Sequence, residues 1–182
     1  VLDRWARLPD LPAGRDHHAA FVLADAVWYS GGEPNGDGDQ LQPGFRYDIG
    51  SATWTPAPVL RPGFGSHAAV LFGRAYIGSE DGSLQEFDPR QGAARTIRPA
   101  GSVARDHSQV VAFLGEIWMI AGRAPETTSV SIYDPITERW RFGPPLGRAR
   151  GGFAAAVLGQ QIVVAGGEVL GGGTRLERSL EV

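Results

Sequence analysis

The chain contains neither cysteine nor lysine among its 182 residues. Without cysteine it can form no disulfide framework, no thiolate zinc site and no cysteine nucleophile, and its redox compartment stays open. Each of its 17 basic residues is an arginine. These arginines are scattered singly along the sequence, so the basic patch expected of a nucleic-acid-binding protein does not form, and we predict no nucleic-acid partner.

Long apolar runs and helical spacing are also missing from the sequence. No uninterrupted apolar run approaches the roughly 18 residues that a membrane helix needs, so we predict no membrane insertion. Residues 1–5 lack the charged-then-apolar order of a signal peptide, so the sequence leaves the localisation open. Glycine (26 residues) and proline (13 residues) are abundant instead. Together with β-branched and aromatic segments between turns, they predict an all-β chain rich in turns.

An internal repeat organises these segments. Four apolar runs lead into a residue pair, and the pairs are Gly31-Gly32, Ser79-Glu80, Ala121-Gly122 and Gly166-Gly167. Their first members are separated by 48 (31 to 79), 42 (79 to 121) and 45 (121 to 166) residues. Each unit reads as four short strands, and the predicted first strands are 18–23, 68–72, 109–114 and 153–158. A period near 45 with four strands per unit is typical of a β-propeller blade.

Further residues keep the same phase. An arginine lies 16 residues before three of the pairs, at Arg15, Arg105 and Arg150. Aromatic–acid dipeptides follow the pairs at Tyr47-Asp48, Phe87-Asp88 and Tyr133-Asp134. Tryptophans stand six residues past two of these acids, at Trp54 and Trp140, and Trp5 precedes Arg15 by ten residues as Trp140 precedes Arg150. So many marks in one register indicate a true repeat.

At these residues the chain resembles the kelch repeat family, whose marks are a glycine doublet, a Tyr-Asp dipeptide and a later tryptophan. The residues that carry the resemblance are Gly31, Gly32, Gly122, Gly166, Gly167, Tyr47, Asp48, Tyr133, Asp134, Trp5, Trp54 and Trp140. The resemblance implies a β-propeller of four-stranded kelch blades, about four of them in this chain. The second unit departs from the pattern, with Ser79-Glu80 for the doublet, Ala94 for the tryptophan and Gly63 for the arginine.

The repeat register divides the chain into blades. Residues 1–15 are predicted to supply the last strand of a blade, followed by a blade at 16–62, a degenerate blade at 63–104, a blade at 105–149 and a partial blade at 150–182. The two ends thus hold complementary parts of one blade. Two arrangements fit: a closed four-blade ring, or part of a six- or seven-blade ring, whose open edges would allow self-association.

Propeller loops at one mouth of the channel commonly carry binding groups. The candidate ligand-binding residues lie in the loops before the first strands: Arg15, Asp16, His17, Arg105, Asp106, His107, Arg148 and Arg150. The family resemblance implies a mouth rimmed by His17, His107 and some of the arginines, where arginine could hold a carboxylate with both amino groups. The alternative, favoured for the three repeated arginines, is a structural tie between neighbouring blades through backbone carbonyls or an acid.

The sequence favours a binding protein over an enzyme. We predict no metal site and no cofactor, because the histidines sit near strand starts and the acidic loop at 33–39 lacks the later positions of a calcium loop. Copper oxidases with a kelch propeller need a cysteine-modified tyrosine, which this chain cannot supply. The leading hypothesis is a module that binds a protein or carbohydrate (glycan) ligand at the mouth. The alternative is a kelch-fold sugar epimerase or mutarotase acting on a sialic-acid-like sugar through arginine and histidine.

Overall fold

The computed structural model describes residues 4–34, 43–58, 60, 67–123, 125–171 and 173–182. Within these ranges all regular secondary structure is β-strand, which confirms the all-β prediction. No helix that could span a membrane occurs in the described ranges.

Four antiparallel sheets follow one another along the chain as blades. Blade 1 consists of β1 (Asp16–Leu23), β2 (Ala26–Glu33), β3 (Gly44–Asp48) and β4 (Thr53–Ala57). Blade 2 consists of β5 (Ala68–Leu71), β6 (Arg74–Gly78), β7 (Leu84–Asp88) and β8 (Ala93–Ile97). Blade 3 consists of β9 (Gln109–Phe113), β10 (Glu116–Gly122), β11 (Thr127–Asp134) and β12 (Arg139–Phe142). Each sheet runs in simple up-and-down order, as the predicted propeller requires.

Blade 4 has three strands and an inserted hairpin. Its sheet pairs β13 (Ala154–Leu158), β14 (Gln161–Ala165) and β17 (Leu180–Glu181), and the hairpin is formed by β15 (Glu168–Val169) and β16 (Arg175–Leu176). The predicted first strands agree with β1, β5, β9 and β13 to within two residues at either end. The proposed boundary at residues 62 and 63 lies outside the described residues.

Apolar contacts between successive blades make the core. One cluster of buried side chains joins blade 1 to blade 2, where Trp28 packs against Phe87 with ring centroids 5.0 Å apart. A second cluster joins blades 2 and 3, and includes Tyr76 and Tyr133 at 6.2 Å. A third joins blades 3 and 4. Burying one twisted sheet against the next is how a propeller removes its apolar faces from water.

The second glycine of the doublet is required by close packing. Gly122 has a φ of +126°, and a Cβ atom there would lie 2.8 Å from both Arg105 Cβ and the Asp106 carbonyl oxygen. The doublet therefore has to be small because the loop that carries the repeated arginine crosses directly over it. Blade 2, with Ser79 and Glu80 instead, turns differently: β6 ends at Gly78, and the positive φ is found at Gly82.

No strand forms in residues 4–15, the described part of the segment predicted to supply the last strand of a blade. Trp5 in this segment is fully exposed, at 102% of its reference area. The segment contacts blade 1 through Trp54, whose Nε1 donates a hydrogen bond to the Pro9 carbonyl at 3.1 Å. Residues 1–3 lie outside the described residues.

Candidate functional site

The repeated arginines bond to backbone carbonyls within their own blades. Arg105 and Arg150 are buried, with 1% and 0% of their surface exposed. Arg105 donates to the Ser129 carbonyl (3.2 Å) and the Ser129 hydroxyl (2.8 Å), both on the third strand of its own blade. Burial without an adjacent carboxylate lowers the pKa of Arg105, as desolvation of a cation must.

The other two copies follow the same plan. Arg15 donates to the carbonyls of Gly31 (2.9 Å) and Pro43 (2.8 Å), and Arg150 donates to the Gly166 carbonyl (2.8 Å). Arg150 also pairs with Glu181. The ties therefore join strands inside one blade, not neighbouring blades as expected. These contacts favour the structural interpretation of the three arginines over direct ligand contact.

Contacts between blades come from the backbone next to these arginines. The Arg105 amide donates to the Glu80 carbonyl of blade 2 at 2.6 Å, and the Gly122 amide donates to the Arg150 carbonyl of blade 4 at 3.0 Å. The Gly152 amide donates to the His107 carbonyl at 3.1 Å. The pairs Ser79-Glu80 and Ala121-Gly122 are thereby each fixed to the loop that opens the next blade, and this helps to position the side chains around the mouth.

His17 and His107 meet across the mouth. They belong to blades 1 and 3, and their ring centroids are 5.4 Å apart in an edge-to-face arrangement. Both residues have left-handed backbones, with φ of 49° and 47°, and Gly152 at the same repeat position has a φ of 60°. Glycine suits this conformation, whereas histidine adopts it at some cost, and such strain concentrates at functional positions.

Each of these histidines lies beside the aspartate that precedes it. His17 Nδ1 is 3.1 Å from Asp16 Oδ1, and His107 Nδ1 is 3.3 Å from Asp106 Oδ1. Asp16 and His17 are the more exposed pair, whereas Asp106 and His107 are largely covered. The repeated Arg-Asp-His tripeptide thus folds into two matching Asp–His pairs, with its arginine turned inwards and its acid and imidazole turned to the mouth.

Arg123 connects the Asp–His pair of blade 3 to blade 4. Its Nε donates to Asp106 Oδ1 at 3.2 Å, its Nη2 donates to His107 Nε2 at 2.9 Å, and its Nη1 pairs with Glu168. Since arginine has no acceptor, His107 Nε2 must be unprotonated. Desolvation lowers the pKa of His107, and the charge of Arg123 lowers it further, against the opposing effect of Asp106.

Arg123 and Glu168 are not among the site residues predicted from the sequence. Each directly follows the second member of its pair, at Gly122 and Gly167, and antiparallel bridges join Asp106 to Arg123 and Gly151 to Glu168. In blade 1 the same ladder position pairs Asp16 with Glu33. The repeat therefore indicates the positions of Arg123 and Glu168. In blades 1, 3 and 4 the residue that follows the pair is bridged to the residue that follows the repeated arginine.

The remaining predicted residues sit at the edge of this site. Arg148 is exposed and lies 3.3 Å from Glu177 Oε1. The aligned positions in blade 2, residues 63 and 65, lie outside the described residues, as does most of the acidic loop at 33–39. Within the described part of the chain, no group of three or more His, Asp or Glu side chains is arranged to hold a metal ion.

Comparison with known proteins agrees with this architecture. No protein-family model matches the chain. The chain is 29% identical to alpha-scruin of Limulus polyphemus over 91% of its own length and 20% of that protein. It is 26% identical to Kelch-like protein 36 of Mus musculus over 84% of its length and 28% of that protein. The solved structure of YjhT superposes with a TM-score of 0.76 at 18% identity, over 91% of this chain and 63% of that one.

The chain therefore spans less than two thirds of each of these relatives. The doublets, the aromatic–acid dipeptides and the tryptophans Trp54 and Trp140 lie at equivalent positions of successive sheets, and these sheets superpose on a solved propeller. On these grounds the chain is an all-β propeller built of kelch-type blades.

Proposed function

We propose that this propeller is a non-catalytic module that binds another protein at its mouth. The observation that carries the proposal is the convergence of side chains from three blades at one end: His17, the pair Asp106–His107, and the Arg123–Glu168 link to blade 4. Binding groups held by a rigid scaffold are typical of propeller mouths. A site assembled from several blades presents a broad surface, which suits a protein partner.

The chemistry of this surface is charged and hydrogen bonding. Asp16 and His17 expose a carboxylate and an imidazole, and behind them Arg123 is already engaged by Asp106 and Glu168. Complementary charged side chains on a partner would pair with the exposed groups, while the engaged network keeps their positions fixed. The repeated arginines hold the loops of the mouth in place through their hydrogen bonds to backbone carbonyls of the same blades.

The epimerase alternative receives less support from the same geometry. A general base in proton abstraction needs a free nitrogen or oxygen within hydrogen-bond reach of the substrate. In His107 the unprotonated Nε2 accepts a hydrogen bond from Arg123 at 2.9 Å, so this nitrogen is occupied. An NMR assay for anomerisation or epimerisation of a sialic-acid-like sugar addresses the alternative, and any acceleration that disappears in His107→Gln would favour it over the binding module.

Affinity capture with matched variants tests the proposed mouth. The immobilised wild-type chain, the double variant Asp16→Ala/His17→Ala and the control Gln160→Ala are compared, because Gln160 is exposed in the β13–β14 turn at the other end of the blade. The proposal predicts proteins retained by the wild type and the control but lost from the double variant. Equal retention by all three variants would contradict it, and retention of glycans alone would replace the protein partner by a carbohydrate.

A further inference from the structure

A second cleft lies between blades 2 and 3 at the end of the blades away from the mouth. It has a volume of about 330 Å³ and is bordered by the β5–β6 turn, which contains Phe72, and the β11–β12 turn, which contains Ile136. The mouth residues lie at the start of β1 or just before β9, whereas these turns follow the far ends of β5 and β11. The cleft is therefore separate from the proposed protein-binding site.

The floor of the cleft contains a buried hydroxyl that lacks a hydrogen-bond acceptor. Tyr76 has 0% of its surface exposed; Arg74 beside it can only donate to its Oη, and no described residue accepts a hydrogen bond from the hydroxyl. Burial, with a smaller contribution from the charge of Glu86, raises the pKa of Tyr76 to about 12, so the hydroxyl stays a donor at neutral pH. A buried donor without an acceptor destabilises the folded chain, and a bound acceptor would remove that penalty.

Two arginines line the same cleft but differ in their partners. Arg74 is engaged, because its Nη1 lies 2.5 Å from Glu86 Oε1 and its Nε lies 3.6 Å from Asp88 Oδ2. Arg90 is exposed, lines the cleft and forms no ion pair among the described side chains. The cleft thus offers one guanidinium and one hydroxyl as donors without a protein acceptor, and both suit a carboxylate oxygen.

The rim of the cleft is apolar. Phe72 and Ile136 are 60% and 76% exposed, and Pro135 continues the same rim. A concave site with an apolar lining and a few convergent polar groups is the usual form of a small-ligand pocket. The rim therefore suits an alkyl or aromatic group held close to the carboxylate.

We propose that this cleft binds a carboxylate attached to an apolar group. The apolar group contacts Phe72 and Ile136, and the carboxylate accepts hydrogen bonds from Arg90 and from the Tyr76 hydroxyl. A small apolar carboxylic acid and the C-terminal residue of a polypeptide share this chemistry. The site is independent of the mouth, so its ligand can be bound whether or not the mouth is occupied.

Isothermal titration with a matched ligand pair tests the proposal. N-acetyl-leucine carries the carboxylate and the apolar group, whereas N-acetyl-leucine amide lacks only the charge. The wild-type chain is expected to bind the acid at least about 10-fold more tightly than the amide, as a charge-assisted bond lost from a binding site implies. Equal binding of both compounds, or no binding of the acid, would overturn the proposal.

Variants of the cleft residues locate the binding site. Tyr76→Phe and Arg90→Gln are each expected to weaken binding of the acid about 5- to 10-fold. Tyr133→Phe is the control, because it removes a second buried hydroxyl of the same interface that does not line the cleft. Arg90 is exposed, so its variant tests the site even if Tyr76→Phe alters folding. Unchanged binding in Arg90→Gln would contradict the proposal.

A hexapeptide with a C-terminal leucine distinguishes the two classes of carboxylate ligand, small carboxylic acids and polypeptide C-termini. Tighter binding of the peptide than of N-acetyl-leucine would assign the cleft to polypeptide C-termini, whereas equal binding would assign it to small carboxylic acids. The double variant Asp16→Ala/His17→Ala is expected to bind both ligands as the wild type does. Loss of binding in that variant would place the ligand at the mouth and refute a separate cleft.

Discussion

Replacement of Arg105 by alanine separates a structural role from a ligand contact. The guanidinium of Arg105 is buried and donates to the Ser129 carbonyl and hydroxyl at 3.2 and 2.8 Å. Longer contacts reach the Met119 carbonyl and the Ser131 hydroxyl, at 3.5 and 3.4 Å. The change removes this network and leaves a cavity between the loop before β9 and the strands β10 and β11.

The expected loss follows from these contacts. A hydrogen bond to a charged group contributes about 1.5–3 kcal/mol, and the cost of desolvating the guanidinium offsets part of the two short bonds. Adding the cavity, we expect Arg105→Ala to lower the free energy of unfolding by about 3 kcal/mol. Arg15→Ala is the comparison, since Arg15 is partly exposed and its loss should cost about 1 kcal/mol.

Urea unfolding followed by tryptophan fluorescence measures both variants. The midpoint should fall clearly more for Arg105→Ala than for Arg15→Ala, with the slope of the transition unchanged. Arg105→Lys, which keeps the charge but not the planar fork of donors, should recover only part of the loss. A change below about 1 kcal/mol in Arg105→Ala, together with lost capture of the mouth ligand, would refute the structural role and make Arg105 a ligand contact.

Three further predictions concern the doublet, the histidines and the N-terminal segment. Gly122→Ala should destabilise the chain by at least about 2 kcal/mol in the same urea assay. Gly122 has a φ of +126°, and a Cβ atom there would lie 2.8 Å from Arg105 Cβ, which leaves no room for a methyl group. A neutral effect would contradict the packing explanation. The pKa of His107 is lowered in the folded state, so the unfolded chain binds more protons just below pH 6.5, and the free energy of unfolding should fall as the pH falls from about 6.5 towards the folded pKa. His107→Gln should flatten this part of the plot of unfolding free energy against pH. An unchanged slope in that variant would contradict the role given to His107. Trp54→Phe removes the donor to the Pro9 carbonyl and should speed limited proteolysis within residues 4–15 while hardly changing the melting temperature; unchanged cleavage would show that the bond does not hold the segment.

The fold was predictable because its signals are local in the sequence. The period, the doublets and the aromatic–acid dipeptides each report a backbone constraint inside one blade, as Gly122 illustrates with its close approach to the loop of Arg105. The degenerate second unit still forms four strands, since apolar alternation and turns suffice where the doublet is missing. In this unit the backbone has its positive φ at Gly82 and not at a doublet, and the repeat pattern does not predict that position.

The candidate site was only partly predictable because its contacts cross blade boundaries. The Arg-Asp-His tripeptide indicated the right loops, but the direction of each side chain depends on the fold: the arginine turns inwards and the imidazoles turn to the mouth. Arg123 pairs with Glu168 from the next blade, a contact separated by 45 residues. The absence of a strand in residues 4–15 could not be derived from the repeat register either.

Hydrogen–deuterium exchange of the chain with a captured protein partner tests the central claim most directly. If the mouth is the binding surface, amides in the loops at 14–18, 104–108 and 148–152 should become protected on binding. The turns at 72–73, 114–115 and 159–160, at the opposite end of the blades, should exchange as in the free chain. Protection confined to those turns or to the outer strands, with the mouth loops unchanged, would contradict the account.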